Sequence, residues 1–219
     1  MSEQQQSLTA IRDIRQMMER SSRFISLSGL SGISAGVCAL VGAWFALPYM
    51  QGEKEHFIDP ERAATPGNSY TLLSNSYLFW IAALTFTAAL LTAFIFTYIK
   101  SKKEGTPIWG TSARRLIMSI AVPLVVGGIF LVNLVHAGSF GLVAPGCLLF
   151  YGLALINASK YTFVEIKYLG YCEIILGVIS LSFIGYGLYF WAAGFGLLHI
   201  IYGSYMWWKY DRTGQDSQK

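Results

Sequence analysis

Glu173, His199 and Tyr202 are the residues of this sequence best suited to chemistry. Glu173 is an acidic residue within a long apolar stretch, and His199 and Tyr202 lie in the next apolar stretch. A carboxyl and an imidazole can both take up and release a proton, and an ionisable group in apolar surroundings is costly to keep there. The three residues therefore predict a proton-exchanging cluster. They also fit a polar staple between helices, or an interfacial contact of Glu173 with Arg115 or Lys167.

Helical spacing places this cluster on two inward faces. Residues three or four positions apart share one face of a helix. One such face contains Gly170, Glu173, Gly177 and Ser180, and the other contains Gly196, His199 and Gly203, with Tyr202 adjacent. At about 1.5 Å per residue, Glu173, Tyr202 and His199 are expected roughly 8, 9 and 14 Å from the same membrane surface.

A second spacing pattern predicts a helix-packing face near the N-terminus. Ser28, Gly32 and Gly36 recur every four residues. Small residues at this spacing let two helix backbones approach closely, which matters in lipid because helix association there depends on packing. The partner of this face is left open between another helix of the same chain and a second subunit.

Other chemical signals are weak. The sequence contains no nucleotide-binding GxxxxGK[ST], no GxSxG nucleophile motif and no CxxC, so we expect neither an enzyme nor a cofactor. A connection between two apolar stretches carries possible metal donors, but their spacing fixes no common face, so we expect no metal site: Glu53, Glu55, His56, Asp59 and Glu61. Three cysteines fall inside apolar stretches and suggest packing residues rather than disulfides: Cys38, Cys147 and Cys172.

The elements that carry these residues must be membrane-spanning helices. Of 219 residues, 54% are hydrophobic and 13% are charged, whereas soluble domains carry about 25% charged residues. Continuously apolar runs of about 20 residues indicate helices, because barrel strands alternate. We predict an all-α polytopic membrane bundle of six transmembrane helices arranged as three hairpins. The predicted spans are Ile25–Pro48, Tyr77–Ile99, Leu116–His136, Phe140–Ala158, Tyr168–Gly187 and Tyr189–Trp208.

The chain outside the spans predicts the orientation. Lys and Arg concentrate on the cytoplasmic side of membrane proteins, and here every one except Lys54 and Arg62 falls on one side of the predicted bundle. Both termini are therefore expected in the cytoplasm. Residues 1–24 predict an amphipathic helix on the membrane surface, residues 49–76 a loop, and residues 209–219 a cytoplasmic tail. The expected partners are the lipid bilayer and a second copy or another membrane protein, and not nucleic acid.

Three stretches carry a resemblance to known sequences. They are Ile11–Ile33 (IRDIRQMMERSSRFISLSGLSGI), Tyr151–Thr162 (YGLALINASKYT) and Gly196–Gly203 (GLLHIIYG). The chain resembles an uncharacterised family of small bacterial multi-pass membrane proteins, from the N-terminal helix through the sixth span. The resemblance implies a bacterial inner-membrane location and brings no activity, substrate or catalytic residue.

Three hypotheses for function follow from these patterns. The leading one is a non-enzymatic packing, sensing or assembly component of the membrane. The second is a small secondary transporter or channel subunit that uses a proton-titratable Glu173 and His199. The third is a membrane-embedded lipid-modifying enzyme with scattered catalytic residues.

Overall fold

The computed structural model describes residues 28–57, 77–105 and 109–212, with their side chains except those of 49–57 and 104. Within these ranges the chain is all-helical and contains no strand. The predicted amphipathic helix of residues 1–24 and the last part of the predicted tail, residues 213–219, lie outside them.

Six helices follow one another along the described chain. The first five are α1 (Gly29–Phe57), α2 (Tyr77–Glu104), α3 (Thr111–His136), α4 (Val143–Ala158, preceded by a 3-10 turn at Phe140–Leu142) and α5 (Ile166–Ser182). The sixth, α6, covers residues 187–212 and alternates between α-helical and π-helical turns. Its α-helical parts are Gly187–Trp191 and His199–Met206, and its π-helical parts are Ala192–Leu198 and Trp207–Arg212.

Several helices begin or end a few residues away from the predicted spans. α1 continues past Pro48 to Phe57, so residues 49–57 are helical rather than loop; they include good helix formers, and the next proline is Pro60. α5 ends at Ser182 instead of Gly187, because the chain turns at Gly185, where φ is +97°. At the other end of the chain, α6 runs on through residues 209–212, which were predicted as tail.

Glycines allow the closest helix contacts in the bundle. A Cβ atom on Gly36 of α1 would lie 2.7 Å from the carbonyl oxygen of Gly196 in α6. A Cβ atom on Gly152 of α4 would lie 2.7 Å from the carbonyl oxygen of Gly170 in α5. In both pairs the two backbones touch directly, so only glycine fits.

These pairs define a core of four helices and two outer helices. α6 packs against α1, α4 and α5, and α4 packs against α5. α2 packs mainly on α1, and α3 mainly on α4. A polar contact also joins α3 to the core: the Asn157 side-chain amide donates to the Ser119 carbonyl at 2.8 Å.

The described helices have the length and composition typical of a membrane protein. Four segments are long and apolar enough to cross a membrane: Gly29–Pro48, Tyr77–Lys103, Thr111–His136 and Phe140–Ala158. α5 has 17 residues, which is at the short end of the range that spans a hydrocarbon core, and α6 is divided by its π-helical turns.

Candidate functional site

Glu173 is at the centre of a buried polar site. It lies on the α5 face that packs into the core, together with Gly170, Gly177 and Ser180, and all four are buried. The Glu173 side chain has 0% exposed surface. The helical spacing read from the sequence therefore gave the correct face for this residue.

His199 approaches Glu173 from α6. Its Nδ1 atom lies 3.5 Å from Glu173 Oε1 and 3.0 Å from the Gly194 carbonyl oxygen. A carbonyl oxygen can only accept a hydrogen bond, so Nδ1 must carry a hydrogen. His199 begins the α-helical turn that follows the π-helical segment Ala192–Leu198; π-helical turns occur frequently at functional sites.

Tyr151 of α4 completes the site from the opposite side of the imidazole. Its hydroxyl oxygen lies 2.7 Å from His199 Nε2. Because the hydrogen of a neutral imidazole is already on Nδ1, Nε2 accepts this bond and Tyr151 donates it. The Tyr151 ring also packs on Phe195, with 4.9 Å between ring centroids. We call Tyr151, Glu173 and His199 the buried polar site.

Gly194 closes this site around the carboxyl group. A Cβ atom on Gly194 would contact Leu148 and would lie 2.5 Å from Glu173 Oε2. Neither oxygen of Glu173 forms a hydrogen bond with any described residue. The imidazole of His199 is therefore the nearest polar partner of a carboxyl that is otherwise enclosed by apolar atoms and backbone.

Tyr202 does not join this arrangement. Its hydroxyl is buried and forms no hydrogen bond with the described part of the chain. Of the three predicted cluster residues, the structure thus brings Glu173 and His199 together and leaves the Tyr202 hydroxyl unbonded. Depth and adjacency on the helix suggested Tyr202, but the direction of each side chain around the helix decides which side chains meet. The alternative partners Arg115 and Lys167 are not the groups that face Glu173; the Lys167 ammonium lies over the Tyr171 ring.

The packing face at Ser28, Gly32 and Gly36 contacts α6 of the same chain. A Cβ atom on Gly32 would lie 3.1 Å from Gly203 Cα, and Gly36 faces Gly196. At the start of α1, the Ser28 hydroxyl donates to Asp211 Oδ2 at 3.0 Å. The partner that the sequence left open is therefore a helix of this chain.

Asp211 forms a second polar cluster, at the end of the bundle where α1 begins. Its Oδ2 atom accepts from the Ser28 hydroxyl and from the Gly29 backbone N–H, both at 3.0 Å. Its Oδ1 atom lies 2.7 Å from Lys100 Nζ of α2. We call Ser28, Gly29, Lys100 and Asp211 the Asp211 cluster. It joins the ends of α1, α2 and α6, which the sequence did not predict.

Glu165 lies nearby in the connection between α4 and α5. It accepts hydrogen bonds from Lys209 Nζ at 2.5 Å and from the Tyr210 hydroxyl at 2.7 Å. Partial burial by itself raises the pKa of Glu165, but these hydrogen bonds outweigh it, so the pKa lies below its usual range. The same hydrogen bond from Lys209 to Glu165 raises the pKa of Lys209.

Other possible ligands do not assemble into a site. Among the described residues, no group of three His, Cys, Asp or Glu side chains could hold a metal ion. The predicted donors Glu53, Glu55, His56, Asp59 and Glu61 lie outside the described side chains. The cysteines are free thiols; Cys38 contacts the Thr92 hydroxyl at 3.9 Å, and Cys172 is exposed.

Sequence reasoning missed Tyr151, although a signal for it exists. Tyrosine in membrane proteins prefers the headgroup level, where its hydroxyl reaches water. Tyr151 instead lies in the middle of an apolar stretch, where its hydroxyl needs a partner within the bundle.

Comparison with protein-family models, curated proteins and solved structures finds no match to this chain.

Proposed function

We propose that this chain is a six-span protein of the bacterial inner membrane, built as three hairpins with both termini in the cytoplasm. The four long apolar helices support this topology, and α5 and α6 would supply the other two spans. The Asp211 cluster, with Lys100, would then lie at the cytoplasmic surface, in agreement with the distribution of Lys and Arg along the sequence.

Within that membrane, the protein acts as a non-enzymatic assembly component that binds another helical membrane protein through α2 and α3. One observation carries this proposal: the two outer helices are hardly covered by the rest of the chain. In the most apolar stretch of α2, 0% of the residues are buried, and in that of α3 11%, against 33% in α1.

The physical argument rests on how helices associate in lipid. Lipid tails are as apolar as the side chains they touch, so a span gains stability mainly from packing against other helices. α2 and α3 each obtain this packing mainly from one neighbour. A partner helix would give them the contacts that the core helices already have.

Site-specific photocrosslinking in native membranes tests the assembly proposal. A photoreactive residue is placed at Phe86 or Leu90 on α2, or at Val125 on α3, all exposed. A matched control is placed at Ile175, which is exposed on the core helix α5. We expect the α2 and α3 positions to crosslink to the same membrane protein and the α5 position to crosslink to lipid. Lipid adducts alone at all positions, with a solitary monomer on purification, would contradict the proposal.

The second candidate, a small secondary transporter or channel subunit, is favoured by the contact of Glu173 with His199. Transport through this site requires water to reach the carboxyl. The Glu173 side chain has no exposed surface and packs against Leu148 and Gly194, so the assembly role has the better support.

A further inference from the structure

The carboxyl of Glu173 lacks the hydrogen bonds that usually accompany a buried polar group. Both oxygens are buried without a hydrogen-bond donor among the described residues, and His199 Nδ1 lies 3.5 Å away. Buried carboxyl groups are normally paired or hydrogen-bonded, because each missing partner costs free energy. Among the described residues, the imidazole of His199 is therefore the one group close enough to balance a negative charge on this carboxyl.

The two nitrogens of His199 are not equivalent in this arrangement. Nδ1 already carries a hydrogen, because it faces the Gly194 carbonyl at 3.0 Å. On the imidazole, an additional proton can only be added at Nε2, the nitrogen that faces the Tyr151 hydroxyl at 2.7 Å. Tyr151 is half-buried, whereas His199 is 6% exposed.

We propose that Tyr151, His199 and Glu173 form a proton-binding site inside the helix bundle, a property that goes beyond the assembly role and does not depend on it. Tyr151 passes its hydroxyl proton to His199 Nε2 and receives the incoming proton on its own oxygen. One proton is bound in total, and the tyrosine stays neutral. The Nε2–H group then donates to the Tyr151 oxygen, and the carboxylate of Glu173 balances the charge of the imidazolium.

The helices packed around the site carry few other titratable groups near it. α4 contributes Cys147, one turn before Tyr151, and α6 contributes Tyr202, while α5 contributes Glu173 itself. α1 packs on Gly196 and Gly203 of α6, and its Cys38 faces Thr92 of α2. In the described helices, no Lys or Arg contacts the site, so the imidazole is the only cation available to the carboxylate.

Nitrogen NMR on the protein in lipid bilayers tests the site directly. The chain has three histidines, so selective 15N-histidine labelling gives few signals, which His56→Gln and His136→Gln assign. We expect His199 to carry its hydrogen on Nδ1, with a hydrogen-bonded Nε2, and to become an imidazolium as the pH is lowered. Glu173→Gln should move the pH of that change by about one unit or more, the size produced by a charge at this distance.

Two tyrosine variants separate the proton site from a general packing effect. Tyr151→Phe removes the hydroxyl bonded to Nε2 and should shift the Nε2 signal of His199. Tyr202→Phe removes a buried hydroxyl that has no hydrogen bond and should leave this signal unchanged. A His199 that stays neutral over the whole pH range in the wild-type protein, or that carries its hydrogen on Nε2, would overturn the proposal, even if the Glu173 variant does not fold.

Discussion

Glu173 and Asp211 are acidic residues of the same small bundle, but their carboxyl groups differ in the hydrogen bonds and ion pairs that they form. Asp211 receives two hydrogen bonds at 3.0 Å and lies 2.7 Å from a lysine ammonium. Glu173 receives no hydrogen bond from the described residues and has one imidazole at 3.5 Å. The first carboxylate has two hydrogen bonds and a close ion pair, whereas the second is buried with one imidazole at a longer distance.

The position of each residue along its helix explains the difference. The first backbone N–H groups of a helix have no partner within it, so the start of α1 can offer the Gly29 N–H to Asp211. In the middle of a helix these groups are already bonded, so Glu173 can find donors only on side chains. Asp211 is therefore suited to hold helices together, and Glu173 is suited to exchange a proton.

The largest effect that we expect comes from filling the space beside Glu173. Gly194→Ala places a methyl group against Leu148 and against the carboxyl oxygen, and we expect a loss of about 3 kcal/mol of stability, the upper end of the usual range for overpacking. The free energy of unfolding in mixed detergent micelles measures it.

Gly128→Ala is the matched control for this change. Gly128 is also helical, but a Cβ atom there would meet nothing within 4 Å. Because alanine favours helix more than glycine does, this variant should be unchanged or more stable by up to about 1 kcal/mol. Equal effects of the two variants would show that the space at Gly194 does not hold the carboxyl in place.

A smaller effect is expected from the paired carboxylate. Asp211→Ala removes the acceptor for Ser28 and Gly29 and the counter-ion of Lys100, and we expect a loss of about 1–2 kcal/mol. Asp211→Asn keeps an acceptor oxygen and should lose less. The same unfolding measurement gives both values, and an Asn variant as unstable as the Ala variant would mean that charge, not hydrogen bonding, is what Asp211 supplies.

Apolar runs in the sequence were sufficient to predict the helices, and the spacing of small and polar residues was sufficient to predict their inward faces. Glycines and polar residues such as Glu173, spaced three or four positions apart, predicted the faces of α5 and α6 that are buried in the structure. The same logic gave the packing face at Gly32 and Gly36, since close backbone contact needs small residues wherever it occurs.

Partners across helices could not be predicted in the same way. Which side chain meets His199 depends on the rotation of α4 against α6, and the π-helical segment Ala192–Leu198 changes that rotation locally. The expected depth of a residue in the membrane fixes its position in only one dimension. Depth together with adjacency on α6 favoured Tyr202, whereas the residue that contacts His199 is Tyr151 on α4. The Asp211 cluster was missed because it forms at helix ends, where boundaries such as that of α6 were wrong.

The smallest change in stability is expected from replacing Glu165, whose carboxylate pairs with an exposed lysine. Glu165 contacts the exposed Lys209, and exposed ion pairs contribute little because water and salt screen them. The pKa of Glu165 is lowered on folding, so its contribution is present above the unfolded value of about 4.3 and is lost as the pH falls through the lowered value.

Stability measurements at two pH values test this contribution. Glu165→Gln should be slightly less stable than the wild-type protein at pH about 7, and the difference should shrink as the pH falls through the lowered pKa of Glu165, because the wild-type carboxyl then becomes protonated as well. Lys209→Gln should show the same pH dependence if the pair is the cause. A difference that persists in acid would mean that Glu165 acts through packing, and the contrast between paired and unpaired carboxyls would then rest on Asp211 and Glu173 alone.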